Sequence, residues 1–169
     1  MATEIERKFL VSGHSYRTLA YNSRRITQAY LSCSADATVR LRIIDDIAFI
    51  TIKSRTSGCC RGEWEYQIPT SDANDIISAC NLNDIISKTR YYINFDNHIW
   101  EIDEFHGRLN GLVVAEIELS SPNEQFALPQ FIDREVTSDP RFFNSNLSTV
   151  SDINSLLCTN PNTSSADIQ

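Results

Sequence analysis

Charged side chains recur two residues apart along most of this chain, with apolar residues between them. The first instance is Glu4-Ile5-Glu6-Arg7-Lys8. In a β-strand, residues i, i+2 and i+4 share one face, so both carboxylates and the Lys8 ammonium project together while Ile5 and Phe9 project the other way. The device returns in Arg40 and Arg42, Lys53 and Arg55, Glu63 and Glu65, Lys88 and Arg90, Glu101 and Asp103, and Glu116 and Glu118. Opposite these lie Val39, Leu41 and Ile43, Ile50 and Ile52, Trp64 and Tyr66, Ile102, Ala115 and Ile117. The alternation predicts eight strands, near 3–11, 25–33, 38–44, 48–55, 62–68, 88–95, 98–105 and 113–120. Turn signals at Asp45-Asp46, Ser57-Gly58, Asp96-Asn97, Gly107 and Gly111 separate them, so hairpins and an antiparallel sheet are expected.

Helical signals are fewer. Thr70 or Ser71 is a candidate cap for a helix near 71–80 with Ile76, Ile77 and Cys80 on one stripe. Asp139 before Pro140 reads as an N-cap and first helical residue for a helix over 140–147, and 149–158 reads as a further helix. The chain thus divides into a domain over 1–150 and a C-terminal helix and polar tail over 151–169.

A sheet with one face in water is the ordinary meaning of alternation. The signs argue for something else. Like charges two apart on a strand sit roughly 7 Å apart and repel by up to a few kcal/mol near a protein surface. Repetition over several strands calls for compensation by neighbouring strands of opposite sign and by bound ions. Eight strands suffice to close a barrel without edges, and with the charged face inward the lumen is a wet tunnel. The apolar outer faces then need cover from the helices near 71–80 and 140–158 or from another subunit.

Such a lumen has two chemistries. Clustered carboxylates take hard cations such as Mg²⁺ or Mn²⁺. Clustered Arg and Lys take phosphate. A metal-bound polyphosphate satisfies both. None of the five glycines forms a phosphate-cradling loop, so side chains must hold the phosphate. Fifteen basic against 22 acidic residues, a net charge of −7, argue against nucleic acid as the main partner. No apolar run suits a membrane, and the five cysteines show no metal or disulfide spacing. A cytoplasmic protein, monomer or homodimer, is expected.

The ordered set Glu4-Ile5-Glu6-Arg7-Lys8, Thr38-Val39-Arg40-Leu41-Arg42, Thr51-Ile52-Lys53, Glu63-Trp64-Glu65-Tyr66, Lys88-Thr89-Arg90-Tyr91, Trp100-Glu101-Ile102-Asp103 and Ala115-Glu116-Ile117-Glu118-Leu119 resembles the CYTH proteins, or triphosphate tunnel metalloenzymes. The resemblance implies an eight-stranded closed tunnel and metal-dependent hydrolysis of a triphosphate with two divalent cations. It implies phosphate binding by Lys8, Arg40, Arg42, Lys53, Lys88 and Arg90. It implies metal binding by Glu4, Glu6, Glu63, Glu65, Asp103, Glu116 and Glu118. Glu63, Glu65, Lys88 and Tyr30 are the catalytic candidates, and 140–147 resembles a helix that plugs one tunnel end. Inorganic triphosphatase activity is the leading expectation. The alternatives are a class IV adenylyl cyclase, an organic triphosphatase acting on ATP or thiamine triphosphate, and a polyphosphate-binding module without turnover.

Overall fold

The protein was analysed as a computed structural model that describes residues 5–34, 36–55, 62–151 and 153–157. Glu4, the Ser57-Gly58 turn, Cys59, Cys60 and Cys158 lie outside the described residues. The strands are β1 (Glu6–Val11), β2 (Asn22–Cys33), β3 (Ala37–Ile44), β4 (Ile47–Ser54), β5 (Glu63–Ile68), β6 (Ile86–Phe95), β7 (His98–Phe105), β8 (Val113–Glu118) and β9 (Ile132–Glu135). They form one antiparallel sheet in the order β5-β4-β3-β2-β6-β7-β8-β1-β9.

Two features correct the expected eight-stranded closed barrel. A ninth strand exists, and among the described residues hydrogen bonds do not close the sheet. Both have one cause: β9 pairs with the free side of β1 at Phe9 and Val11, across a bulge, so that edge is not available to β5. Consecutive charges at Asp133-Arg134-Glu135 hide β9 from any search for alternation.

The hairpin between β6 and β7 turns on Asp96 and Asn97, at φ 49° and 63°, the paired left-handed conformation whose twist suits a two-residue hairpin. Between β3 and β4, Asp45 at φ 50° accepts hydrogen bonds from the Arg25 amide and the Arg24 guanidinium.

Cover for the outer face comes from elements the alternation did not announce. Helix α1 (Tyr16–Leu19) and the segment 119–131 enclose Phe9, Trp100, Ile102 and Ile117. Phe126 packs on Trp100 and Phe9 at ring separations of 5.9 and 6.1 Å. Helix α2 (Thr70–Ala79) packs on β3 and β4 and buries Ala73, not the predicted Ile76-Ile77-Cys80 stripe. No side chain caps it; the Thr70 hydroxyl donates instead to the Asp46 carbonyl at 2.7 Å. So short a helix leaves Trp64 and Tyr66 exposed, where helical cover for Trp64 was expected.

At one end the inward face changes character. Leu10, Ile86, Phe105 and Val114 continue the charged rows but are apolar, and they pack with Leu109, Leu112, Phe142, Leu147 and Leu156. Burial of each such side chain contributes about 1.5–3 kcal/mol. The expected helix over 140–147 is a 3₁₀ turn at Pro140–Phe142 followed by α3 (Asn144–Leu147), broken where Phe143 turns extended at ψ 133°. The Asp139 cap does form, its carboxylate accepting from the Arg141 amide at 3.1 Å. A last turn, α4 (Asn154–Leu157), adds Leu156 to the stopper. None of the described helices is long and apolar enough to cross a membrane.

Candidate active site

Directly paired residues of antiparallel strands share a face, so the register alone gathers the charged positions. Lys53 lies opposite Glu63, Arg40 opposite Thr51, Arg90 opposite Asp103, Lys8 and Glu101 opposite Glu116, and Glu6 opposite Glu118. Glu6, Lys8, Arg40, Arg42, Lys53, Glu63, Lys88, Arg90, Glu101, Glu116 and Glu118 line one cavity of about 570 Å³. Asp103 lies beneath that surface, 1% exposed, and Glu65 is tied to Arg42 on the same wall. Arg55 is exposed at a strand end, as a rim position should be.

The charges are sorted by position in the sheet. The central strands β3 and β6 carry Arg40, Arg42, Lys88 and Arg90, with Lys53 beside them on β4. Acids occupy the flanks: Glu63 and Glu65 on β5, and Glu101, Asp103, Glu116, Glu118 and Glu6 on β7, β8 and β1. Both acidic flanks and the central bases line the same cavity, and of the described bases there Lys8 on β1 is the one that stands among the acids, beside Glu6 and Glu116.

Acid and base meet throughout. Arg90 donates to both oxygens of Asp103 at 2.7 Å, to Glu116 at 2.8 Å and to Glu101. Lys88 donates to Asp103 at 2.6 Å, and Lys8 pairs with Glu6 at 2.8 Å and with Glu116. Lys53 meets Glu63 at 3.0 Å, and Arg42 and Thr51 both donate to Glu65 at 2.7 Å. Burial alone would lift the Glu116 carboxyl, but Lys8, Arg90 and Lys88 hold it well below its ordinary range. Asp103 is lowered for the same reason by Arg90 and Lys88. Burial outweighs Asp103 at Lys88, whose ammonium is lowered, with Arg90 adding to the effect. At Lys8 the order reverses, Glu116 and Glu6 outweighing burial to raise the ammonium. Burial, reinforced by Glu116 and Asp103, raises Glu101 against the pull of Arg90.

Two donors stand out. The Nε–H groups of Arg40 and Arg42 are buried and meet no acceptor among the described residues. An unpaired buried donor costs about 1–3 kcal/mol, and an anion entering the cavity removes that cost. Tyr30 is partly buried against the closed end, and desolvation pushes its hydroxyl up to about 12 against the opposing effect of Arg40. It therefore carries its proton across the neutral range and accepts from the Gln28 amide at 3.3 Å.

The acids present only oxygen, the donor type that suits Mg²⁺ or Mn²⁺, and so fit a hard cation in kind. Among the described residues no three of them are gathered as a ready-made metal cluster. Three polar residues of the site escaped the charge pattern: Gln28 and Thr51, both buried, and Asn144 from α3, which borders the cavity. Gln28 precedes Tyr30 by two and Thr51 precedes Lys53 by two, so the same alternation, extended to neutral residues, finds both. Nothing local marks Asn144.

Known proteins share this organisation. An inorganic triphosphatase of Acetivibrio thermocellus is 44% identical over 147 residues, spanning 87% of this chain and 94% of that protein. An inorganic triphosphatase of Nitrosomonas europaea is 34% identical over 146 residues, spanning 84% and 94%. The crystal structure of the inorganic triphosphatase NE1496 superimposes with a TM-score of 0.67 at 31% identity, covering 90% of this chain and 98% of that one. The model of the CYTH domain matches residues 2–150, and with it the inward rows of acids and bases find their place: this chain belongs to the CYTH domain family.

Proposed function

We propose that this protein is an inorganic triphosphatase, a hydrolase that uses divalent cations to split tripolyphosphate into pyrophosphate and phosphate. One observation carries the reading: a single cavity gathers six bases, with unsatisfied Arg40 and Arg42 donors, together with a set of carboxylates. The 44% identical relative, itself an inorganic triphosphatase, supports it. In this reading Lys8, Arg40, Arg42, Lys53, Lys88 and Arg90 bind the phosphate oxygens, the arginines through planar forks and the lysines as point charges. Glu6, Glu63, Glu65, Asp103, Glu116 and Glu118 hold the metals, and Glu4 joins them. A bound Mg²⁺ or Mn²⁺ supplies charge neutralisation on the phosphate oxygens. Glu63 and Glu65 orient the attacking water and take its proton as its oxygen bonds to phosphorus and the P–O bond to pyrophosphate breaks. Tyr30, protonated, and Lys88 donate to the phosphoryl oxygens. Such positioning and charge stabilisation account for phosphoryl transfer without a covalent nucleophile.

An organic triphosphate is the second reading. Tyr92 follows Arg90 on the inward face, away from the stopper, and its ring lies 6.4 Å from that of Tyr21, a surface on which a base or thiazole could stack. Exposed thiols at Cys33 and Cys80 accord with a reducing cytoplasm. Phosphate release from tripolyphosphate, ATP and thiamine triphosphate, each with Mg²⁺, Mn²⁺ or EDTA, separates the readings. Tripolyphosphate should be the best substrate and EDTA should abolish release. Cyclic AMP and pyrophosphate as products from ATP would overturn the assignment, and tight binding without release would identify a binding module.

A further inference from the structure

The cavity ends at the stopper, and of the described residues from 132 to 157 only Asn144 borders it. Beneath lie Phe142, Leu147, Phe105 and Ile86, none of which offers a side-chain hydrogen bond. The Asn144 amide is oriented by chemistry: Lys88 Nζ approaches it at 3.4 Å and can only donate, so the facing atom is Oδ1. Its Nδ2, with two N–H donors, meets no acceptor among the described residues. The residue is held in place from the far end of α3. Arg108 donates to the carbonyls of Leu147, Ser148 and Val150 and, at 3.0 Å, to that of Ile85, immediately before the strand that carries Lys88. One guanidinium thus fixes the helix bearing Asn144 to the strand bearing Lys88.

We propose that Asn144 is the floor of the substrate site and determines specificity for chain length. The substrate enters with a terminal phosphate leading, that phosphate accepts from Asn144 Nδ2 and from Lys88, and the apolar layer behind stops a longer chain from seating deeper. This rests on the triphosphatase reading and adds the direction of entry and a length limit.

The test uses the whole chain with three variants. Asn144→Leu keeps the volume and removes the amide; Asn144→Asp keeps the shape, strengthens the contact with Lys88 and opposes a phosphate; Asn144→Gly deepens the floor. Calorimetric binding of tripolyphosphate in EDTA should weaken about tenfold in Asn144→Leu and further in Asn144→Asp, with melting temperatures close to wild type for the latter. The ratio of kcat/KM for inorganic tetraphosphate over tripolyphosphate should rise at least threefold in Asn144→Gly. Asn144→Asp binding within twofold of wild type, or an unchanged ratio in a folded Asn144→Gly, overturns the floor assignment. A wild-type protein that releases no phosphate while the variants still lose metal-free binding overturns the hydrolase reading alone.

Discussion

Arg90 holds more of the site together than any single acid does. Its guanidinium satisfies Asp103, Glu116 and Glu101 at once, and two of those carboxylates are buried. Removing one partner of a buried ion pair leaves an uncompensated charge and costs about 3–5 kcal/mol. Arg90→Met should therefore lower unfolding stability in urea by that amount as well as abolish turnover. Arg42, with a half-exposed partner and one idle Nε–H, contributes chiefly to the ligand. Arg42→Ala should leave stability near wild type and reduce kcat/KM for tripolyphosphate about 10²-fold, the usual loss for one transition-state donor. At this scale the sequence was readable wherever a charge sat at a period of two. Alternation and family resemblance mark Asp103, Glu116 and Lys88. They give Asn144 no role at the site, because its place in the cavity depends on a chain break at Phe143 and a clamp from Arg108, neither of which has a local signature.

Elements show the same division. Strands β3, β4, β6 and β7 announce themselves by strict alternation and Asp- or Asn-bearing turns, whereas β9 and α1 are four residues each and take their stability from packing on β1 and beneath Tyr16. Segment 119–131 has no periodicity, yet it seals the outer face through Phe126 and Phe131. Its anchor is polar: Glu124 accepts from the Ser120 amide and hydroxyl and from His98 Nε2 at 3.0 Å, while His98 Nδ1 faces the Asp96 carbonyl at 2.9 Å. Two acceptors on one ring are satisfied only by imidazolium. Glu124 and the Asp96 carbonyl accordingly raise His98 above its ordinary value of 6.5. A raised folded-state value stabilises fully below about pH 6.5 and is lost as pH rises through the higher folded value. The melting temperature of wild type should exceed that of His98→Gln at pH 6, and the difference should vanish by pH 9.

For the whole molecule, net charge misleads. A chain of −7 still brings six of its fifteen bases, Lys8, Arg40, Arg42, Lys53, Lys88 and Arg90, into one cavity, so its surface average says nothing of what the interior attracts. The fold class was legible because strand alternation carries it; the open edge between β5 and β9 was not, because closure depends on which strand takes the second side of β1. Tripolyphosphate in EDTA should raise the melting temperature, by an amount that shrinks between 50 and 500 mM salt as screening grows. The pairing of inward acids with inward bases has a last consequence. Each carboxylate is a tethered competitor for the site, an internal anion that a phosphate must displace. On the proposed reading, a cation that engaged the carboxylates would lift that inhibition, so cation and substrate should each tighten the binding of the other. Glu65→Gln, which removes the competitor at Arg42, should bind tripolyphosphate more tightly than wild type in EDTA and yet turn it over more slowly with Mg²⁺. A variant that improves affinity while losing catalysis is what autoinhibition by the enzyme's own carboxylates looks like.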